Sequence, residues 1–116
     1  MQTVDLSAQD VVEAVDGVYL AQLAVGEQMS VQHFHIQPDA EVPTHEHPHE
    51  QTGFIYEGEL TFLVGEEGEE TEHVVTAGES YTIPGDEPHA ARNLGDDPVR
   101  GVDIFAPPRE NPAWQE

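Results

Sequence analysis

Short runs of β-branched and aromatic residues, separated by turn residues, recur along this chain of 116 residues. Thirteen valines stand against six leucines, and valine suits a pleated strand better than a helix. The 10 glycines and 9 prolines interrupt the runs at short intervals, so few segments are long enough to form a helix. The pattern therefore predicts an all-β fold of many short antiparallel strands, as in a sandwich or barrel.

Eight strands follow from this pattern. They are predicted at Val18–Val25, Met29–Gln37, Gln51–Tyr56, Glu59–Val64, Glu72–Val75, Ser80–Ile83, Ala90–Asn93 and Val99–Phe105. One short helix is expected at Asp10–Val15, capped by Ser7. No repeat or linker is visible, and a chain of this length fits a single domain spanning 1–116.

The barrel core is expected at about 18–106, followed by a C-terminal tail at 107–116 that lies across the outside. Trp114 in this tail is expected to fill a surface groove or a subunit contact.

Acidic residues dominate the charge of the chain: 24 Asp and Glu stand against three arginines, and the net charge is −21. Nucleic acids and anionic membranes are bound through Lys and Arg, so the charge excludes both as partners. Carboxylates in excess, with no lysine, resemble the proteins of salt-in halophiles, whose molar salt screens such repulsion. Because the apolar residues sit in ordered blocks, the composition indicates a folded domain rather than disorder.

Cysteine is absent, which excludes disulfides, thiolate metal sites and cysteine nucleophiles. The first residues contain neither a basic region nor an apolar stretch long enough for a signal peptide or membrane span. A cytoplasmic location is therefore expected.

Histidines form the clearest candidate site. His45, His47 and His49 fall within five residues, and Gln51 follows at once. Residues two apart on a strand share a face, so His45 and His47 can reach one metal ion. The alternative is that they are solvated residues of a polar loop.

Two segments resemble the conserved motifs of the cupin family. The run PTHEHPHEQ at 43–51, followed by Gly58, resembles the first motif, H-x-H, three residues, Glu or Gln, six residues, Gly. The run GESYTIPGDEPH at 78–89, followed by Asn93, resembles the second, G-x5-P-x-G-x2-H-x3-N, with Asp86 where the motif has Gly. The resemblance covers about 26–109 and implies an RmlC-like double-stranded β-helix, or jelly-roll barrel.

A cupin resemblance also implies a metal site. One divalent transition metal per chain (Zn, Ni, Mn, Fe or Co) would be held by His45, His47, Gln51 and His89. His49 is expected to point away from the metal and to contact the substrate or support a ligand.

A third segment narrows the implied activity. Asp103 and Phe105 share one face of a predicted strand, and Arg109 follows a double proline. This D-x-F-x3-R arrangement resembles KdgF-type cupins, which open 4,5-unsaturated monouronates from pectin or alginate into linear keto-aldehyde acids. The resemblance implies Asp103 and Arg109 as catalytic residues, and Phe105, Arg109 and His49 as contacts to a small anionic substrate.

Two other functions remain open from the sequence: a non-catalytic cupin that binds a metal or small ligand, and a small Fe(II)-dependent oxygenase. A homodimer is expected, because pairing covers the edge strands of small barrels. His33 and His35 share a strand face and are expected either to line the pocket or to lie at the dimer interface. Arg92 is expected to form a structural ion pair.

Overall fold

The structure, a computed structural model, describes residues 1–109. Ten strands lie within that range. They are β1 (Val12–Val15), β2 (Val18–Val25), β3 (Ser30–Ile36), β4 (Glu41–His45), β5 (Glu50–Glu57), β6 (Glu59–Val64), β7 (Thr71–Thr76), β8 (Ser80–Ile83), β9 (His89–Arg92) and β10 (Val99–Ala106). In the same residues no helix has the length and apolarity needed to cross a bilayer. Trp114 and its predicted role lie outside the described residues.

Two antiparallel sheets face each other. The larger has the strand order β1-β2-β3-β10-β5-β8, and the smaller has the order β4-β9-β6-β7. Strands distant in sequence, such as β3 and β10, are neighbours, as the jelly-roll topology requires. The predicted all-β double-sheet barrel is confirmed.

Side chains alternate between the two faces of each central strand. In β3 the residues Ser30, Gln32, Phe34 and Ile36 are buried and those between them are only half-buried. Most buried side chains are apolar and pack between the sheets, where each contributes about 1.5–3 kcal/mol. This core includes Val18, Phe34, Ile36, Ile55, Leu60, Phe62, Val75, Ile83 and Val99.

The predicted helix at Asp10–Val15 is wrong. Val12–Val15 forms β1, which pairs with β2 through Val12 and Leu20. An isolated helix this short is marginal in water, whereas the edge of β2 supplies hydrogen bonds to a strand. The helical turn lies earlier, at Leu6–Ala8, and Asp5 caps it by accepting a hydrogen bond from the Ser7 amide. Ser7 is therefore not the cap.

The eight predicted strands all exist, with ends that agree within one residue. The prediction missed β4, which ends at His45. His47 lies beyond that end, so the two histidines do not share a single strand as the H-x-H spacing had indicated.

Asp86 occupies the left-handed region, with φ of +63°, at the position where the cupin motif has Gly. Aspartate tolerates this conformation better than most residues. Its amide donates a 2.7 Å hydrogen bond to the carbonyl oxygen of His47. The turn before His89 thus fixes the segment that carries His47.

Candidate metal centre and its cavity

Three histidines converge where the smaller sheet meets the β4–β5 connection. His45 and His89 are paired across β4 and β9, with ring centroids 4.3 Å apart, and His47 follows in the loop. One ring nitrogen from each of the three lies within 4.8 Å of those of the other two. Ligand atoms this close can bind a single metal ion.

The orientation of the rings supports this arrangement. Each ring donates from Nδ1 to a main-chain carbonyl two residues away, at 2.8–3.1 Å: His45 to Pro43, His47 to His49 and His89 to Glu87. Carbonyl oxygens only accept, so Nδ1 carries the proton and Nε2 keeps its lone pair. The Nε2 atoms of His47 and His89 are buried without a hydrogen-bond partner in the described residues.

Burial also keeps these rings neutral. Desolvation lowers the pKa of His45 and His47, and it lowers the pKa of His89 to about 4. The positive charge of Arg109 lowers all three pKa values further. A metal ligand must be unprotonated, so the group is ready to bind a cation at neutral pH.

Gln51, near the start of β5, adds an oxygen atom. Its side chain is 6% exposed, and Oε1 is buried without a partner in the described residues. Gln51 lines the same cavity as His45 and His89. Three imidazole nitrogens with one amide oxygen, and no thiolate, suit a divalent transition metal. The donor set therefore fits the implied ion, and Gln51 stays the predicted fourth ligand.

A cavity of about 310 Å³ opens beside these residues. Apart from Thr44, the polar side chains that line it, here called the polar wall, are those of Gln32, His45, Gln51, Tyr81, His89, Asp103 and Arg109. Most of the remaining lining is apolar. Six of these apolar residues, which belong to the hydrophobic core or pack against it, are here called the apolar floor: Val18, Leu20, Phe34, Val42, Leu60 and Phe62.

Asp103 lies at the centre of the polar wall. Across the larger sheet it is paired with Gln32 on one side and with Gly53 on the other, and Gly53 is paired with Tyr81. The Tyr81 hydroxyl donates to the Asp103 carboxylate. A Cβ at Gly53 would overlap both the Tyr81 ring and Asp103, so glycine is needed there for Tyr81 to reach across.

Asp103 is buried, with 7% of its surface exposed. Burial raises the pKa of Asp103 to about 6, although hydrogen bonds from Tyr81 and Gln51 and the charge of Arg109 oppose the rise. Burial and the neighbouring Asp103 raise the pKa of Tyr81 well above its ordinary value. Tyr81 therefore stays a hydrogen-bond donor, and Asp103 can exchange a proton near neutral pH.

Phe105 and Arg109 are the other two residues of the predicted Asp-x-Phe-x3-Arg segment that line the cavity. The Phe105 ring lies edge-on to His47, with centroids 5.6 Å apart, and the Arg109 guanidinium carbon is 5.2 Å from its centroid. The Arg109 amide donates to Ser30 Oγ at 2.8 Å. The structure thus places Asp103, Phe105 and Arg109 in the cavity that His45 and His89 line.

His49 is outside the group of three histidines. Its ring lies edge-on to Phe105, 6.0 Å between centroids, and its carbonyl accepts the hydrogen bond from His47. It contacts the predicted ligand shell rather than belonging to it.

His33 and His35 lie on the opposite face of β3, away from the cavity. His33 shares a 2.6 Å hydrogen bond with the Tyr56 hydroxyl, and the His35 ring lies against Tyr19. Arg92 pairs with Glu41 at 3.3 Å, as predicted.

Sequence reasoning missed Gln32 and Tyr81. Gln32 alternates with Phe34 and Ile36 on the buried face of β3, so a lone amide in an apolar row was the available signal. The sequence places Tyr81 on the same strand face as Ile83. It does not give the strand register, on which the contact between Tyr81 and Asp103 depends.

Fold and site together define a double-sheet barrel with a histidine-rich metal site. The profile of the family described as "Cupin domain" matches residues 32–105, and the chain belongs to this family.

Solved structures agree on the fold. KdgF from Halomonas sp. is 20% identical with a TM-score of 0.80, over 96% of this chain and 97% of that one. An RmlC-like cupin from Shewanella frigidimarina is 23% identical with a TM-score of 0.78, over 96% and 98% of the two chains. A variant of oxalate decarboxylase from Bacillus subtilis is 17% identical with a TM-score of 0.82, over 92% of this chain and 29% of that one.

One relative is similar in sequence. An H2HPP isomerase from Bacillus subtilis is 33% identical over 70 residues, which are 60% of this chain. The match spans 28% of that protein's length.

Proposed function

We propose that this cupin is a metal-dependent enzyme that transfers a proton to or from carbon in a small unsaturated carboxylic acid. The observation that carries the proposal is the polar wall. One buried carboxyl group, one arginine and three histidines suited to a metal line or border the same cavity. Fold alone would not distinguish an enzyme from a binding protein, whereas these side chains favour an enzyme.

Each group has a role set by its surroundings. His45, His47, His89 and Gln51 would hold the metal, which when bound supplies positive charge to polarise a substrate oxygen. Arg109 would bind the substrate carboxylate, and its contact with the Phe105 ring holds the guanidinium in place.

Asp103 is the proton-transfer group. Its carboxyl is buried beside the cavity and oriented by the Tyr81 hydroxyl. General acid–base catalysis by a positioned carboxyl contributes about 10²–10⁴ in rate.

The specific reaction to test first is the ring opening of 4,5-unsaturated monouronates, which the segment Asp103-x-Phe105-x3-Arg109 implies. A proton is added to one carbon of the enol-ether double bond, and water adds to the other. The resulting hemiketal collapses to the open-chain ketone. The similarity to KdgF supports this reaction at the level of fold. An isomerisation that moves a proton between carbon atoms requires the same groups, and the similarity to an isomerase supports isomerisation as the alternative reaction.

The test is loss of the ultraviolet absorbance of the double bond when metal-loaded protein is added to a set of unsaturated acids that includes the monouronates. We expect Arg109→Ala to abolish turnover while metal content stays intact. Arg92→Ala is the matched control, because Arg92 lies in an exposed ion pair with Glu41. No acceleration with any acid, or full activity in Arg109→Ala, would contradict the proposal.

A further inference from the structure

The cavity extends well past the groups that the proposed chemistry needs. Its apolar floor comes from both sheets: Leu20 and Phe34 face it from the larger sheet, and Val42, Leu60 and Phe62 from the smaller. Leu60 is 2% exposed, Phe34 3% and Phe62 6%, so these walls are part of the packed core. The floor is therefore held in place by the fold.

The polar and apolar side chains of the cavity lie at different levels along the strands: Gln32 is paired with Asp103, whereas Phe34, two residues further along β3, is paired with Leu20. Among the described residues that line the cavity, polar side chains come from the polar wall and from Thr44, which is exposed beside His45. Nothing in the apolar floor can donate or accept a hydrogen bond through a side chain. A hydroxyl group placed there loses its water partners without replacement, at a cost of about tenfold or more in affinity.

The size of the cavity favours a ligand with an apolar body. A cavity of about 150 Å³ lined by Leu, Ile and Phe holds benzene. The volume here is about 310 Å³, which leaves room for a ring as well as an acid group. A sugar acid carries hydroxyls around its ring, and only those on one side would meet the polar wall.

We infer that the substrate is an acid with an apolar body, such as an aryl, cycloalkenyl or branched alkyl group, rather than a polyhydroxylated sugar acid. The carboxylate lies at Arg109 and the apolar body lies on the floor. The inference rests on the proposed function for the carboxylate end and narrows its substrate class. It places the monouronates among the weaker substrates.

Equilibrium binding tests the inference without any turnover. Metal-loaded full-length protein is titrated calorimetrically with 3-phenylpropionate and with glucuronate, which carry the same charge. We expect 3-phenylpropionate to bind at least about 100-fold more tightly, with the negative heat-capacity change of apolar burial. Equal or tighter binding of glucuronate would overturn the inference.

Substitutions in the floor test where the apolar body binds. Leu20→Gln is expected to lower 3-phenylpropionate affinity at least about tenfold while metal content is unchanged, and Leu20→Met is the volume-matched control. Val42→Thr is the second variant, nearly equal in shape and applicable if Leu20→Gln fails to fold. Unchanged affinity in folded Leu20→Gln or Val42→Thr would contradict binding on the floor.

The two proposals fail in different ways. Tight binding of 3-phenylpropionate without turnover of any acid would contradict the proposed enzymatic function and would support the inference that the ligand has an apolar body. Rapid turnover of monouronates that 3-phenylpropionate does not inhibit would support the proposed enzymatic function and would overturn the inference that the substrate has an apolar body.

Discussion

The polar wall and the apolar floor share one cavity but differ in how their atoms are satisfied. On the floor, side chains such as Leu60 and Phe62 belong to the hydrophobic core. On the polar wall, buried atoms lack partners in the described residues, among them Gln32 Oε1, Gln51 Oε1 and His89 Nε2. Buried polar groups without hydrogen-bond partners lower the stability of the fold, so these atoms indicate where a bound ligand would supply the partners. Burial of the apolar floor stabilises the barrel, and this stability offsets the cost of the unpartnered polar atoms in the polar wall.

The largest effect is expected at the centre of the wall. Asp103→Asn keeps the shape but removes the exchangeable proton, so kcat should fall about 10²–10⁴-fold. If the protonated carboxyl is the acid, kcat/KM of the unaltered protein should decrease as pH rises through about 6, the pKa to which burial raises Asp103. Steady-state kinetics across pH check both. A variant that keeps full activity would remove Asp103 from the mechanism.

The amount of metal that a variant retains should distinguish the predicted metal ligands from the residues next to them. His89→Ala removes one of three converging nitrogens and should weaken metal binding roughly 100-fold or more. His49→Ala is the matched control, because His49 lies beside the group and outside it. Elemental analysis after dialysis measures the difference. Equal metal loss in both variants would mean that the cluster is not the binding site.

Substitutions in the apolar floor and in the polar wall should change stability in opposite directions. Leu60→Ala empties part of the floor and should lower the free energy of unfolding by about 2–5 kcal/mol. Gln32→Leu replaces a buried, unpartnered amide oxygen and should raise it by about 1 kcal/mol. Urea unfolding measures both. A large loss of stability in Gln32→Leu would show that the wall supports the fold.

The smallest effect is expected from salt, which acts on the surface more than on the cavity. The net charge of −21 predicts self-repulsion, and raising KCl from about 0.1 M to 1 M shortens the Debye length from about 10 Å to 3 Å. We expect Tm to rise by a few degrees. Replacing the exposed Glu66 and Glu67 by Gln should reduce this rise. A Tm that does not change with KCl concentration would contradict the predicted halophilic adaptation.

Sequence reasoning worked well wherever structure depends on near neighbours. Strands such as β2 and β8 have the predicted ends because their runs of β-branched and aromatic residues stop at Gly26 and at Pro84. It failed at Val12–Val15, where pairing with β2 overrides a weak helical pattern. It also missed β4, because the two prolines near the histidines resemble strand breakers.

The all-β barrel of the cupin type and the three histidines that converge could be predicted from the amino-acid sequence alone. Alternation and motif spacing are local properties, so they can be read along one chain. The contact between Tyr81 and Asp103 across Gly53, and the apolar floor of the same cavity, became clear only from the three-dimensional fold. These contacts join residues far apart in sequence. They depend on strand register and sheet packing, which no single segment encodes.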